Sequence, residues 1–542
     1  MKKSNDSLNI FSSLRKGTTM TSATTAAMRR GYMNGPFGTK PIIYADSTAS
    51  GIVYLPIINY MNENVFPFYS NTHSNAICGK YMSELIDAAK TVIRRHYNCD
   101  KEDDQIIFTG NGCTGAILHL IHAMDLKRNT DAVETVNEIP QKTKVVVFVS
   151  ITEHHSNYLP WKHLDVLMEL VPINQRGQLD TQFMLHKMSE YHQKGNSIIA
   201  SFSGASNVSG ILEDWSSISK IVHSFGGVML WDMAACAPYV KINMHVDDIS
   251  GDYMDAIFVS PHKFLGGPGC PGLLIANRKL FINKVPYCPG GGTVRFVCKK
   301  FQVYNPDIEV KETGGTPNIL GCIQLGKVFE LKESIQDYIE NKEKIMYQYC
   351  YQMLKHMPNI ILIRPSNNDA RSLPIFSFII RNYHCNLVVV LLNDLFGIQS
   401  RGGVSCCSVF AQNILHLSEE DQNQIYRSIA QGKGVPDNYG WCRISFHYLM
   451  TREEINYILE SVFLVATNIQ YLSPLYEYDA AKNSWSYKSG GIWAQQKPSQ
   501  RLFLERNCTA SDLKVILDTT KDFLRHFRKD SQSRRNLFSF QI

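Results

Sequence analysis

The run Ala256-Ile257-Phe258-Val259-Ser260-Pro261-His262-Lys263-Phe264-Leu265-Gly266-Gly267-Pro268-Gly269 decides how the rest of the chain is read. Its first four residues are all apolar, which predicts a strand buried on both faces, as in a parallel sheet covered by helices. Lys263 then falls at the carboxyl end of that strand, the edge at which open α/β sheets bind ligands. Glycines follow at once, and Ser260 and His262 flank the lysine with hydrogen-bonding groups.

A lysine held at such an edge suits a Schiff base with an aldehyde, because burial disfavours the ammonium and leaves a neutral amine for attack. Pyridoxal phosphate is the expected aldehyde. Its ring nitrogen needs a carboxylate partner if the pyridinium is to act as an electron sink. A second buried-strand pattern, Gly227-Val228-Met229-Leu230-Trp231, delivers Asp232 at its carboxyl end and supplies that partner.

Three segments, Trp231-Asp232-Met233-Ala234-Ala235, Ser260-Pro261-His262-Lys263 and Gly314-Gly315-Thr316-Pro317-Asn318, resemble the class V aminotransferase and cysteine desulfurase family of pyridoxal phosphate enzymes. The resemblance runs from about residue 44 to about residue 461. It implies an α/β chain of pyridoxal phosphate fold type I: a large, mixed but mostly parallel sheet with helices on both faces, and a smaller α+β C-terminal domain. The expected divisions are a disordered or targeting tail over 1–40, a large cofactor domain over 41–333, a small domain over 334–470, and a helical extension with a basic tail over 471–542.

Site residues follow from the same resemblance. Ile42 to Gly51 looks like the segment lining the active-site mouth, with Asn71-Thr72-His73-Ser74-Asn75 near it. Gln105-Ile106-Ile107-Phe108-Thr109 reads as a strand, and Gly110-Asn111-Gly112-Cys113-Thr114 opens a helix whose free N–H groups suit a phosphate. The resemblance gives the phosphate to the Cys113 backbone and the Thr114 hydroxyl. In Glu153-His154-His155-Ser156-Asn157, His154 takes the place of the histidine that stacks on the cofactor ring. In Ser206-Asn207-Val208-Ser209-Gly210, Asn207 is matched to the residue that bonds the cofactor's phenolic oxygen. One departure stands out: the family commonly has glutamine three positions after the ring-nitrogen aspartate, and this chain has Ala235. Thr316 matches a threonine that reaches the phosphate held by the other subunit, so a homodimer with shared active sites is implied.

Two late segments bear on the reaction. Ser400-Arg401-Gly402-Gly403-Val404-Ser405-Cys406-Cys407 is similar to the loop that carries the sulfur-accepting cysteine of desulfurases, and matching arginine to arginine puts that role on Cys406. A thiolate is the nucleophile required, and Arg401 is the nearby cation that would favour it. Cys407, or neither cysteine, remains an alternative, since adjacent cysteines are also found buried and inert. Gly440-Trp441-Cys442-Arg443 resembles the segment whose arginine takes the substrate α-carboxylate through two parallel hydrogen bonds. The reaction so implied passes sulfur from L-cysteine to Cys406, leaving alanine, with Lys263 and His154 serving proton transfer and a sulfur-acceptor protein downstream. An aminotransferase or lyase acting on another amino acid, and a cofactor-binding scaffold of little turnover, are the alternatives.

Composition narrows the remaining classes. The net charge of +6, from 55 basic and 49 acidic residues, is too small over 542 residues to indicate nucleic-acid binding. No stretch approaches the ~20 apolar residues of a membrane span. Fourteen cysteines run from Cys78 to Cys508 without a C-x-x-C pair, which suggests neither a zinc module nor a disulfide framework and favours a reducing compartment. The first forty residues are rich in Ser and Thr and hold Lys2, Lys3, Arg15, Lys16, Arg29 and Arg30 against one acid, Asp6. They read as a tail of a cytoplasmic protein, or alternatively as a weak mitochondrial transit segment.

Overall fold

The structure is a computed structural model that describes residues 31–127, 144–365, 369–433, 439–488, 497–504 and 508–538. Seven strands form its main sheet: β1 (Asp104–Thr109), β2 (Val145–Ser150), β3 (Leu167–Val171), β4 (Ser197–Ser203), β5 (Val228–Asp232), β6 (Ala256–Val259) and β7 (Gly272–Asn277). Their order is β1-β7-β6-β5-β4-β2-β3. From β6 to β3 every pairing is parallel, whereas β7 runs antiparallel to both of its neighbours. This is the mixed, mostly parallel sheet that the resemblance implied.

The strands are continuously apolar because successive side chains enter different cores. Ile106, Val146, Phe148, Ile198, Ala200, Met229, Trp231 and Ile257 belong to one buried cluster. Their immediate neighbours Ile107, Val147, Val149, Ile199, Leu230 and Phe258 belong to another. Period-two alternation between two dry faces explains the absence of any polar alternation in the sequence. Burial of side chains such as Trp231 and Phe258, both at 0% exposure, contributes about 1.5–3 kcal/mol each.

Helices cover both faces. The stripe Leu85, Ala89, Val92 and Ile93 lies buried on α1 (Ile77–Tyr97), whereas α2 (Gly112–Ala123) buries Ala116, Ile117 and Leu120 against the opposite face. Further along, α3 (Thr181–Gln193) and α4 (Trp215–Ser224) begin at Asp180 and Asp214, whose carboxylates accept first-turn N–H groups. The 36-residue α5 (Ile319–Leu354) starts at Asn318, whose side chain caps Gly321 N–H. It contains Glu333 and carries the chain from the first core, through Val328 and Phe329, to a second, through Met346, Cys350 and Leu354.

That second core lies under the four-stranded antiparallel sheet β8 (Ile360–Leu362), β9 (Ile375–Ile380), β10 (Arg401–Gly403) and β11 (Trp441–Ser445), ordered β8-β9-β11-β10. Around it lie α6 (Cys385–Phe396), the short α7 (Ser408–Ile414), α8 (Arg452–Leu472) and α9 (Ala510–Phe538). Leu513, Leu517 and Leu524 of α9 join the same core as Ile458, Val462 and Val465 of α8.

One local feature differs from the sequence reading. Residues 31–40, read as part of a tail, instead enter a hairpin: Gly31–Gly35 pairs with Gly38–Pro41 and, on its other side, with Leu502–Leu504. Residues 1–30 lie outside the described residues. Separately, the glycine-rich turn from Pro289 leads into an exposed hairpin of Val294–Val297 and Gln302–Tyr304.

Candidate functional site

Five strands of the main sheet present their carboxyl ends to one side, and each hands a polar residue to a common cavity of about 220 Å³. Cys113 and Thr114 follow β1, His154 and Ser156 follow β2, Ser203 ends β4, Asp232 ends β5, and Ser260, His262 and Lys263 follow β6. The second lobe closes the cavity with Arg401, Ser405, Cys406 and Arg443. Asn207 and Ala235 also line it. Ten of the expected site residues, scattered through 331 positions of sequence from Cys113 to Arg443, therefore meet in one space. Thr316 does not: it is exposed, and its hydroxyl accepts a hydrogen bond from Asn71 Nδ2 at 3.0 Å.

The lysine loop is held by close backbone approach. A Cβ on Gly267 would lie 1.9 Å from Pro261 O, so only glycine permits the turn that follows Lys263. Burial lowers the Lys263 pKa and raises that of Asp232, which accepts Ala234 N–H at 2.9 Å. Each charge pulls the other back toward ionisation. A ligand with a basic ring nitrogen opposite Asp232 and an aldehyde opposite Lys263 would relieve both burial costs.

The helix entrance is equally tight. Gly112 has φ +57°, and a Cβ there would sit 2.7 Å from Ser260 Oγ and 2.9 Å from His262 Cε1. Cys113 N–H donates to Ser260 Oγ at 2.9 Å, and the Thr114 and Ser156 hydroxyls share a 2.7 Å hydrogen bond. Asn111 at the N-cap position of α2 makes no side-chain cap of its own, so the remaining first-turn N–H groups and two hydroxyls are available for an anionic group at this end. At the other end, Nε of Arg443 is buried without a hydrogen-bond partner among the described residues. Such a donor costs about 1–3 kcal/mol when unpaired, and an anionic ligand would satisfy it. These residues fit a phosphorylated pyridoxal and a carboxylate-bearing substrate.

Glu153 fastens the histidine segment to β4. It accepts Ser203 N–H at 2.9 Å, Ser203 Oγ–H at 2.6 Å and Asn157 Nδ2–H at 2.8 Å. Burial outweighs these bonds and pushes its pKa up to about 8. His154 is shifted the opposite way, down to about 4, by burial and then by Lys263. Its Nδ1 accepts Ser156 N–H at 3.1 Å, which leaves the ring proton on Nε2.

The cysteine loop after β10 is built differently. Ser405 and Cys406 both adopt left-handed backbone, with φ +54° and +57°, a conformation that costs about 1–3 kcal/mol at each non-glycine residue. Hydrogen bonds hold it there: Asn207 Nδ2 donates to Ser405 O at 3.0 Å, Trp441 Nε1 donates to Ser405 Oγ at 3.1 Å, and His155 N–H donates to Cys406 O at 2.8 Å. The two thiols then part company. Cys406 is exposed at the cavity, whereas Cys407 is buried and donates to Asn207 Oδ1 at 3.0 Å. Burial pushes the Cys407 thiol well above its ordinary pKa.

Arg401, expected as the cation beside Cys406, lines the same cavity and gives its Nε–H to Asp46 Oδ2 at 2.9 Å. Asp46 also accepts Arg443 Nη2–H at 2.8 Å through its other oxygen, and so joins the two arginines. Arg443 Nη1 donates to Asn207 O at 3.0 Å. Asp46, His155 and Trp441 were not singled out by sequence reasoning. Each stands inside a quoted segment, but its contact lies on a distant part of the chain.

Comparison with known proteins agrees with this geometry. A probable cysteine desulfurase of Borreliella burgdorferi is 27% identical over 449 residues, covering 79% of this chain and 92% of the relative. Another, from Halalkalibacterium halodurans, is 27% identical over 372 residues, covering 68% and 84%. Among solved structures, a cysteine desulfurase of Thermococcus onnurineus shares the fold with a TM-score of 0.62 at 20% identity, covering 79% of this chain and 95% of that one. One from Escherichia coli, in an S-sulfonic acid form, gives 0.60 at 20% identity, covering 79% and 94%. The sequence profile of the aminotransferase class-V family matches residues 43–458, and the chain belongs to that family of pyridoxal phosphate-dependent enzymes.

Proposed function

We propose that this enzyme transfers sulfur from L-cysteine to Cys406, releasing alanine. The observation that carries the reading is the exposed thiol of Cys406 in the wall of the cavity that also holds Lys263 and Arg443. Relatives named as probable cysteine desulfurases support it.

In this reading Lys263 would hold pyridoxal phosphate, Asp232 would serve its ring nitrogen, His154 its ring and Asn207 its phenolic oxygen. Cys113, Thr114, Ser260 and His262 would form the polar surround, with the Cys113 backbone and the Thr114 hydroxyl for the phosphate. The bound cofactor supplies an electron sink for the pair released at the substrate α-carbon. Arg443 takes the substrate carboxylate, its buried Nε being a donor in need of a partner. Lys263, whose burial favours the neutral amine, accepts and returns a proton at Nζ. His154, neutral near pH 7, offers only the Nε2 proton as a hydrogen-bond donor. The Cys406 thiolate attacks the substrate sulfur: the S–S bond forms, the carbon–sulfur bond breaks, and the electron pair left on carbon takes up a proton to give alanine.

The same reading divides the lobes at Glu333 and makes the enzyme a homodimer. Thr316, exposed and outside the cavity, serves the site of a second copy, and a further protein accepts the persulfide sulfur. All fourteen cysteines are free thiols, which supports the reducing cytoplasm as its compartment; among the described residues no helix is long and apolar enough to cross a membrane. An amino-acid panel with the purified holoenzyme, read for sulfide, alanine and keto acid, tests the reaction. With a thiol reductant present to reduce the Cys406 persulfide, sulfide and alanine in equal amounts from L-cysteine are expected. Keto acid from another amino acid, with no sulfide from L-cysteine, would replace this reading by an aminotransferase.

A further inference from the structure

We propose that His155 is a positioning residue that sets the Cys406 thiol for sulfur transfer; the inference rests on the reading of Cys406 as the sulfur acceptor. Cys407 occupies the N-cap position of α7 and provides no side-chain cap. The acceptor for the first N–H of that helix comes instead from the segment after β2: Ser408 N–H donates to His155 Nε2 at 3.1 Å, and the Ser408 hydroxyl lies 2.9 Å from the same nitrogen. Because Nε2 accepts the backbone N–H, the ring is neutral with its proton on Nδ1. Two residues earlier, the His155 main chain donates to Cys406 O at 2.8 Å. One histidine therefore grips the loop on both sides of Cys407, through its backbone before that residue and its ring after it.

The grip matters because Ser405 and Cys406 hold an unfavourable left-handed conformation in succession. Such backbone persists only where surrounding contacts over-determine it. Releasing Ser408 would free α7 to start elsewhere and let Cys406 relax toward ordinary φ, turning its thiol away from the substrate sulfur. His155 touches neither Lys263 nor Asp232, so its loss should leave cofactor retention intact. A glutamine at this position keeps an acceptor for Ser408 N–H, whereas alanine does not.

The test uses the holoenzyme with His155→Ala and His155→Gln. Persulfide formation on Cys406 is followed by mass spectrometry in a single turnover, alongside kcat, KM for L-cysteine, and the alkylation rate of Cys406 in the resting protein. His155→Ala should slow persulfide formation about tenfold, the equivalent of one hydrogen bond. KM should stay near wild type, Cys406 alkylation should change, and His155→Gln should restore most of the rate. Wild-type rates of persulfide formation and alkylation in His155→Ala would overturn the inference, as would a His155→Gln variant no better than the alanine variant. A wild-type enzyme that forms no persulfide on Cys406 would overturn the sulfur-transfer reading and this inference together; wild-type persulfide with an unaffected His155→Ala would overturn this inference alone.

Discussion

The lysine loop and the cysteine loop face one cavity, yet they are held in opposite ways. Lys263 sits at the end of a fully buried strand, enclosed by glycine turns that admit no side chain, and its environment is fixed by the dry core beneath it. Cys406 sits at the end of a short strand of the smaller sheet, exposed, in left-handed backbone, and kept in place by hydrogen bonds reaching from the larger lobe. The difference separates two demands. Holding a cofactor asks for a rigid, desolvated frame, whereas accepting sulfur and passing it on asks for a thiol that is poised but reachable. Cys407 and its neighbour show the division within two residues: one thiol is sealed into the structure and bonded to Asn207, the other is left open.

If the lysine loop alone holds the cofactor, the largest effect belongs there. Lys263→Ala should remove the borohydride-sensitive visible absorbance of the covalently held cofactor and lower turnover by roughly a thousandfold or more; unchanged absorbance would break the comparison at its base. A smaller effect is expected at the opposite wall of the same frame. Asp232→Asn should retain cofactor by mass spectrometry while slowing turnover about a hundredfold, since an amide cannot hold the pyridinium proton as a charged partner. Full activity would mean that Asp232 is not that partner.

The link between the two regions is weaker and should give a smaller response. Arg443, on the second lobe, is bonded to Asp46 and to Asn207 O. Arg443→Lys keeps the charge but loses the planar fork, so KM for L-cysteine should rise about tenfold to about a hundredfold. A KM equal to that of wild type in steady-state assays would show that the carboxylate is held elsewhere.

The cofactor frame was legible in the sequence because its signals are local. A run such as Ala256 to Val259 declares a buried strand, and the catalytic group follows within a few positions. The cysteine loop was legible only as a segment, because what shapes it is non-local: the partners of Asp46 lie 355 and 397 positions away, and Ser408 lies 253 positions from His155. Backbone pairing hid in the same manner. Gly31–Gly35 read as a tail because its second partner, Leu502–Leu504, comes from the far end of the chain.

The central claim is that the exposed thiol accepts sulfur while the buried frame holds the cofactor, and Cys406→Ser tests it most directly. The measurement is the mass of the purified holoenzyme after reaction with L-cysteine, paired with sulfide release and with the visible absorbance of the bound cofactor. A hydroxyl is a far poorer nucleophile than a thiolate at neutral pH, so the variant should keep its absorbance, bind L-cysteine, and yet gain no sulfur and release no sulfide. Cys407→Ser should still gain sulfur at Cys406. Normal sulfide release from a folded Cys406→Ser and Cys407→Ser double variant would contradict the account.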